Sequence, residues 1–126
     1  MIQKTPVKTF EDLAVWQRGI TLVREVYLCT EVGDLKKDFG LKDQLRRAVV
    51  SIPTNIAEGF ERASRKEYLN FLNIAKGSAG EVRSLLYVAK EIGYLERSVY
   101  ERLRNASMEL SAWLSNQIKA LKGVVK

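Results

Sequence analysis

Apolar residues recur at steps of three and four along four long stretches of this chain, and no stretch alternates with a period of two. The first stretch carries two apolar stripes: Leu13, Trp16, Ile20, Val23 and Tyr27, with Val15, Leu22 and Val26 beside them. Two stripes on one helix predict more than one packing partner. Glu11 and Asp12 suit its N-terminus, and residues 31–35 read as the turn that follows. The second stretch, residues 41–62, runs through Leu41, Leu45, Ala48, Val49, Ile52, Ile56 and Phe60. The third runs from Tyr68 through Leu72, Ala75, Ala79, Val82, Leu86 and Ala89 to Ile92, in alternating steps of four and three, which is the seam of a left-handed bundle. Val99, Leu103, Ala106, Leu110, Trp113, Leu114, Ile118 and Leu121 carry the fourth. Four amphipathic helices with short links predict an all-α, up-down-up-down antiparallel four-helix bundle.

Pro53 interrupts the second helix without breaking its apolar phase. A proline in a helix interior lacks the N–H for the carbonyl of Val49 and crowds it, at about 3 kcal/mol. The second helix is therefore expected to be kinked near Pro53, with Asn55 buried where it can supply hydrogen bonds. Ser64 followed by Glu67, and Ser98 followed by Glu101, read as capping boxes. Gly93 before Tyr94 reads as a left-handed helix end. The Gly77-Ser-Ala-Gly80 run removes bulk in mid-helix and predicts close approach of a neighbouring backbone.

A chain of 126 residues is expected to form one domain: an N-terminal arm over 1–9, a bundle over 10–122 and a basic end over 123–126. Hydrophobic content of 46% and charged content of 29% describe a globular chain rather than a disordered one. One cysteine, Cys29, leaves no internal disulfide and fits a reducing, cytoplasmic setting. No apolar run reaches the length of a membrane helix, so no membrane partner is expected. There is no histidine, which removes Ser-His and Cys-His nucleophile pairs and the glutamate–histidine sets of di-iron bundles. No cofactor, metal or catalytic residue is expected. The net charge of +6 points toward a polyanionic partner.

Three groups of residues stand out. Ser51, Asn55, Glu58 and Arg62 share one stripe, with Arg47 a turn earlier. The reading preferred for Ser51, Asn55 and Glu58 is structural: hydrogen bonds near the proline, and a Glu58–Arg62 pair one turn apart. Lys76, Arg83 and Lys90 repeat every seven residues and form one outward stripe beside Asn73 and Tyr87, a pattern of nucleic-acid-binding surfaces. Arg46 and Arg47, and the cluster Arg62, Arg65 and Lys66 at the second turn, are further candidates for phosphate contacts, with Asp43 within reach of Arg47. The plain alternative for each is a solvated face. Trp16, Trp113 and Cys29 read as packing residues.

The segments Phe10-Glu-Asp-Leu-Ala-Val-Trp16, Gln44-Leu-Arg-Arg-Ala48, Ser51-Ile-Pro-Thr-Asn-Ile-Ala-Glu-Gly59, Phe71-Leu72, Ala75-Lys-Gly-Ser78 and Gly93-Tyr-Leu95 resemble the 23S rRNA intervening-sequence protein family. Thr54 stands where a serine is common in that motif and keeps the hydroxyl. The resemblance implies a bacterial four-helix bundle and a ring-like homo-oligomer, with a pentamer favoured. It also implies a relationship to the accessory variability protein of diversity-generating retroelements, which partners a reverse transcriptase and its template RNA. Charge and resemblance together point to a non-enzymatic bundle that binds structured RNA or an RNA–protein complex. The alternative is an adapter whose main partner is a reverse transcriptase.

Overall fold

The computed structural model describes residues 6–123, and among these there are five α-helices, one 3-10 turn and no strand. The 3-10 turn, Phe10–Asp12, precedes α1 (Ala14–Cys29). A short α2 (Gly33–Lys37) leads into α3 (Phe39–Glu61), followed by α4 (Arg65–Glu91) and α5 (Arg97–Gly123). α3 packs on α1 and α4, and α5 packs on the same two helices, so the four long helices enclose one core, as a bundle does. Residues 1–5 of the expected arm and 124–126 of the expected basic end lie outside the described residues.

The helix ends follow local chemistry. Asp38 caps α3, its Oδ1 accepting from the Leu41 N–H at 3.1 Å. The Ser64 hydroxyl accepts from the Glu67 N–H at 3.1 Å, as its position before α4 predicts. Gly93 sits at φ 86°, and the Tyr94 N–H reaches the Ala89 carbonyl at 2.8 Å, which closes the last turn of α4. The Asp12 carboxylate accepts from the Lys8 and Thr9 N–H groups, and these bonds hold its carboxyl below the usual aspartate value.

Three local expectations need correction. Residues 31–35 are not a plain turn, because α2 begins among them, at Gly33, and buries Leu35 fully. Ser98 is not a cap: α5 begins at Arg97, and the Tyr100 N–H is taken by the Glu96 carbonyl. The two stripes of α1 have unequal fates. Val15, Leu22 and Val26 are buried, whereas Trp16, Ile20 and Val23 are half-buried and Tyr27 is exposed.

The core joins Leu22 and Val26 of α1, Leu45, Val49, Ile52 and Ile56 of α3, and Leu72, Val82 and Leu86 of α4 with Leu103, Leu110 and Leu114 of α5. Each such large side chain contributes about 1.5–3 kcal/mol by leaving water. α3 is helical throughout, with Pro53 buried inside it.

The close approach of helices occurs elsewhere than at residues 77–80. A Cβ added to Gly77 would meet nothing within 4 Å, and one at Gly80 only the end of the Arg83 side chain. A Cβ on Gly59 would instead lie 2.7 Å from the Phe71 Cβ and 3.3 Å from the Tyr68 carbonyl oxygen. Those partners are a Cβ and a backbone atom, which cannot swing aside. Gly59→Ala is therefore expected to destabilise the fold by about 1–3 kcal/mol through overpacking between α3 and α4. Urea unfolding measures it, and an unchanged midpoint would show that this contact is looser than described.

Candidate nucleic-acid interface

The polar stripe of α3 turns inward at one end and outward at the other. The Ser51 hydroxyl lies 2.9 Å from the Ser78 hydroxyl of α4. The Asn55 side-chain amide donates to the Ser51 carbonyl and to the Ser51 hydroxyl, both at 2.8 Å. These bonds span Pro53, from two residues before it to two residues after it, beside the gap that it makes in the helical ladder. Asn55 is half-buried rather than fully enclosed, because the outer face of α3 is open there as a groove of about 560 Å³. Glu58 is exposed and pairs with Arg62 at 3.4 Å, a contact that solvent reduces to a few tenths of a kcal/mol.

The same open face brings together Ser51, Asn55, Arg46 and Arg47, with Tyr27 opposite them. Arg46 is not available there as a free cation. Its Nε donates to the buried Thr30 hydroxyl at 2.9 Å, its terminal nitrogen meets Glu31 at 2.6 Å, and its guanidinium lies 4.2 Å from the Tyr27 ring centre. Glu31 is correspondingly held below the ordinary glutamate pKa, first by the Arg46 hydrogen bond and then by the charge of Lys42. Arg46 thus anchors the α1–α2 junction to α3. Arg47 stays exposed, with Asp43 at 2.9 Å.

Lys76, Arg83 and Lys90 all lie on α4, but the line they make is not an open one. Lys76 is exposed, while Arg83 and Lys90 are half-buried against α5. Arg83 donates to the Ser111 hydroxyl at 2.8 Å. The Lys90 ammonium sits 4.9 Å from the Tyr87 ring centre and 5.0 Å from that of Tyr100, with Glu91 at 3.8 Å. The cause is geometric. A seven-residue step keeps pace with the seam itself, so a line beside the seam leans into the neighbouring helix.

Two further cations belong with this line, one on α4 and one on α5. Eleven residues complete about three turns, so Arg65 falls on the line of Lys76, Arg83 and Lys90. Arg104 follows Tyr100 by four residues and precedes Ser111 by seven, on the α5 face that meets α4. That spacing was legible; which helix it would face was not. At the α3–α4 turn, Arg62, Arg65 and Lys66 are exposed together. Arg62 is shared between Glu58 and the Phe71 ring, 5.0 Å away, whereas Arg65, Lys66 and Lys76 have no ion-pair partner among the described residues.

Between α1 and α3 runs an open, mostly apolar groove of about 480 Å³, with Trp16, Ile20, Val23, Pro53 and Ala57 in its lining and Glu58 and Glu61 along its α3 side. Trp16 also meets Phe10 edge-on at 5.4 Å, so it lines this groove rather than filling the core. Cys29 is buried, and burial pushes its thiol up to about 11, so it is a poor nucleophile at neutral pH. No group of His, Cys, Asp and Glu among the described residues is arranged to hold a metal ion. No helix among them is long and apolar enough to cross a membrane.

Residues 11–116 match the family model described as 23S rRNA-intervening sequence protein. Among solved structures, the chain is similar to a crystal structure of a protein of unknown function from the S23 ribosomal protein family of Bacteroides thetaiotaomicron. The two are 32% identical, with a TM-score of 0.77, over 84% of this chain and 99% of that one. No functionally curated protein matches the chain significantly.

The hydrogen bonds of Asn55 give the α3 stripe a structural task. Asn55→Ala removes two donated bonds at a half-buried site, leaving the Ser51–Ser78 contact in place. A loss of about 1 kcal/mol of stability is expected, read from denaturant midpoints. An unchanged midpoint together with loss of nucleic-acid binding would make the stripe a binding site instead.

Proposed function

The chain belongs to the 23S rRNA-intervening sequence protein family, and from that premise we propose that it is a non-enzymatic bundle that binds structured RNA, or an RNA–protein complex, through basic outer surfaces. One observation carries the reading: Arg65, Lys66 and Lys76 project from α4 without carboxylate partners among the described residues, on a chain of net charge +6. Such cations neutralise phosphates, so they bind RNA by charge and little by sequence. The absence of histidine from the chain supports a binding role over catalysis.

We read the connectivity of α1, α3, α4 and α5 as up-down-up-down and antiparallel. Support comes from contacts whose residue numbers rise on one helix as they fall on the next: Ser51 meets Ser78 while Gly59 meets Phe71, and Arg18 meets Glu109 while Glu25 meets Arg102. A bend of α3 at Pro53 belongs to the same reading, resting on the N–H that proline lacks.

We further propose self-association into a ring, with a pentamer favoured, through the α1–α3 groove. A mostly apolar groove with a half-exposed tryptophan is the sort of surface that a partner covers. The adapter reading, with a reverse transcriptase as main partner, would use that same groove. A reverse transcriptase gene beside the coding sequence would favour it.

Two measurements test these readings. RNA affinity is expected to fall linearly on a log–log plot against salt, and Arg65→Glu with Lys66→Glu is expected to weaken binding about tenfold or more and to flatten the slope. Absence of RNA binding at low ionic strength, or binding indifferent to salt, would sink the RNA reading. Native mass measurement is expected to give a multiple of 14.3 kDa, reduced to the single chain by Ala57→Arg. A monomeric wild-type protein would refute ring assembly.

A further inference from the structure

Where α4 meets α5, two tyrosines lie among cations on a partly open face. Tyr87 and Tyr100 meet edge-on, with ring centres 6.1 Å apart and planes at 70°. The Lys90 ammonium lies within 5.0 Å of both ring centres. Yet Tyr87 keeps 49% of its surface open. Among the described residues its hydroxyl reaches Glu91 on its own helix, at 3.4 Å. A tyrosine that served only to join the two helices would be buried as Tyr100 partly is.

Cations flank the ring along both helices. Arg83 stands one turn before Tyr87, and Lys90 just under one turn after it. Arg104 stands one turn after Tyr100 on the facing helix, and among the described residues its guanidinium donates to the adjacent Asn105, at 3.4 Å. Glu91 is the carboxylate found against this group, so positive charge prevails. From Lys76 to Lys90 the line spans about 21 Å of helix, which is the axial length of about six stacked nucleotides.

We propose that this face takes an unpaired segment of RNA, one base stacking on the exposed side of Tyr87 while Arg104 and Lys90 hold the adjoining phosphates and Lys76 holds one farther along α4. The inference rests on the RNA reading above and deepens it by naming the form of nucleic acid. A paired helix hides the flat faces of its bases, whereas a single strand or loop can present one to an aromatic ring. Half-exposed tyrosine between cations therefore favours unpaired RNA over duplex. The cations alone would accept either.

The test compares labelled oligouridylate with a blunt RNA duplex of matched length, by fluorescence anisotropy at low salt. Oligouridylate is expected to bind more tightly. Tyr87→Ala should weaken it about tenfold, leave duplex affinity unchanged and keep the salt slope, whereas Tyr87→Phe should bind as the wild type does. Arg104→Glu should weaken oligouridylate binding and lower the slope. Equal binding of both RNAs, with Tyr87→Ala indistinguishable from wild type, would overturn this site while leaving the RNA reading intact. Failure of both RNAs to bind would overturn the two together. Thermal melting of Tyr87→Ala checks its fold. If that variant does not fold, Tyr87→Leu supplies the same comparison, because it keeps apolar contact and removes the stacking plane.

Discussion

α3 must carry a proline through the middle of the bundle while staying packed on two neighbours, and much of the chain is arranged around that demand. Pro53 is buried in an unbroken run of helix. On one side its ring meets α1 at Gly19, where an added Cβ would lie 3.4 Å from the proline Cβ and Cδ. A larger residue would leave little room for that ring. On the other side Asn55 bonds back to Ser51, and Ser51 reaches Ser78 on α4. A buried polar group without a partner would be destabilising, so these bonds let hydroxyls sit beside an apolar core. One turn beyond Asn55, Gly59 draws α4 to α3. The most distinctive motif of the chain therefore reads as joinery between helices.

The same packing sorts the cations. Arginines near a helix junction or seam are held by the fold: Arg46 by Thr30, Glu31 and Tyr27, and Arg83 by Ser111. Lysines and arginines at the α3–α4 turn and on outer α4 face water. A guanidinium can satisfy several partners at once, so it suits the first role, and a flexible lysine suits the second. A count of positive residues overstates the surface available to phosphates, because part of the charge is already engaged.

How far the site was legible differs from residue to residue. The Lys76, Arg83, Lys90 line follows from spacing alone, since seven residues make nearly two turns. That Lys90 would lie between two tyrosines did not, because Tyr100 belongs to another helix and spacing relates residues only within one. Asn55 was expected to be largely buried and is half-buried, since an open groove lies over that part of α3. The glycines at 77 and 80 were expected at a helix contact and meet almost nothing, whereas Gly59, within a motif read for its polar residues, holds the contact.

What the order of residues settled was the helical class, the number of long helices and most of their ends. Those depend on local forces: apolar period, serine and aspartate caps, and glycine in the left-handed region. What the packed molecule settled was the use of each face. Two apolar stripes on α1 look alike in sequence, and one is sealed in the core while Trp16, Ile20 and Val23 of the other line an open groove. Burial is a property of neighbours brought from far along the chain, and periodicity within one helix carries no record of where they will lie.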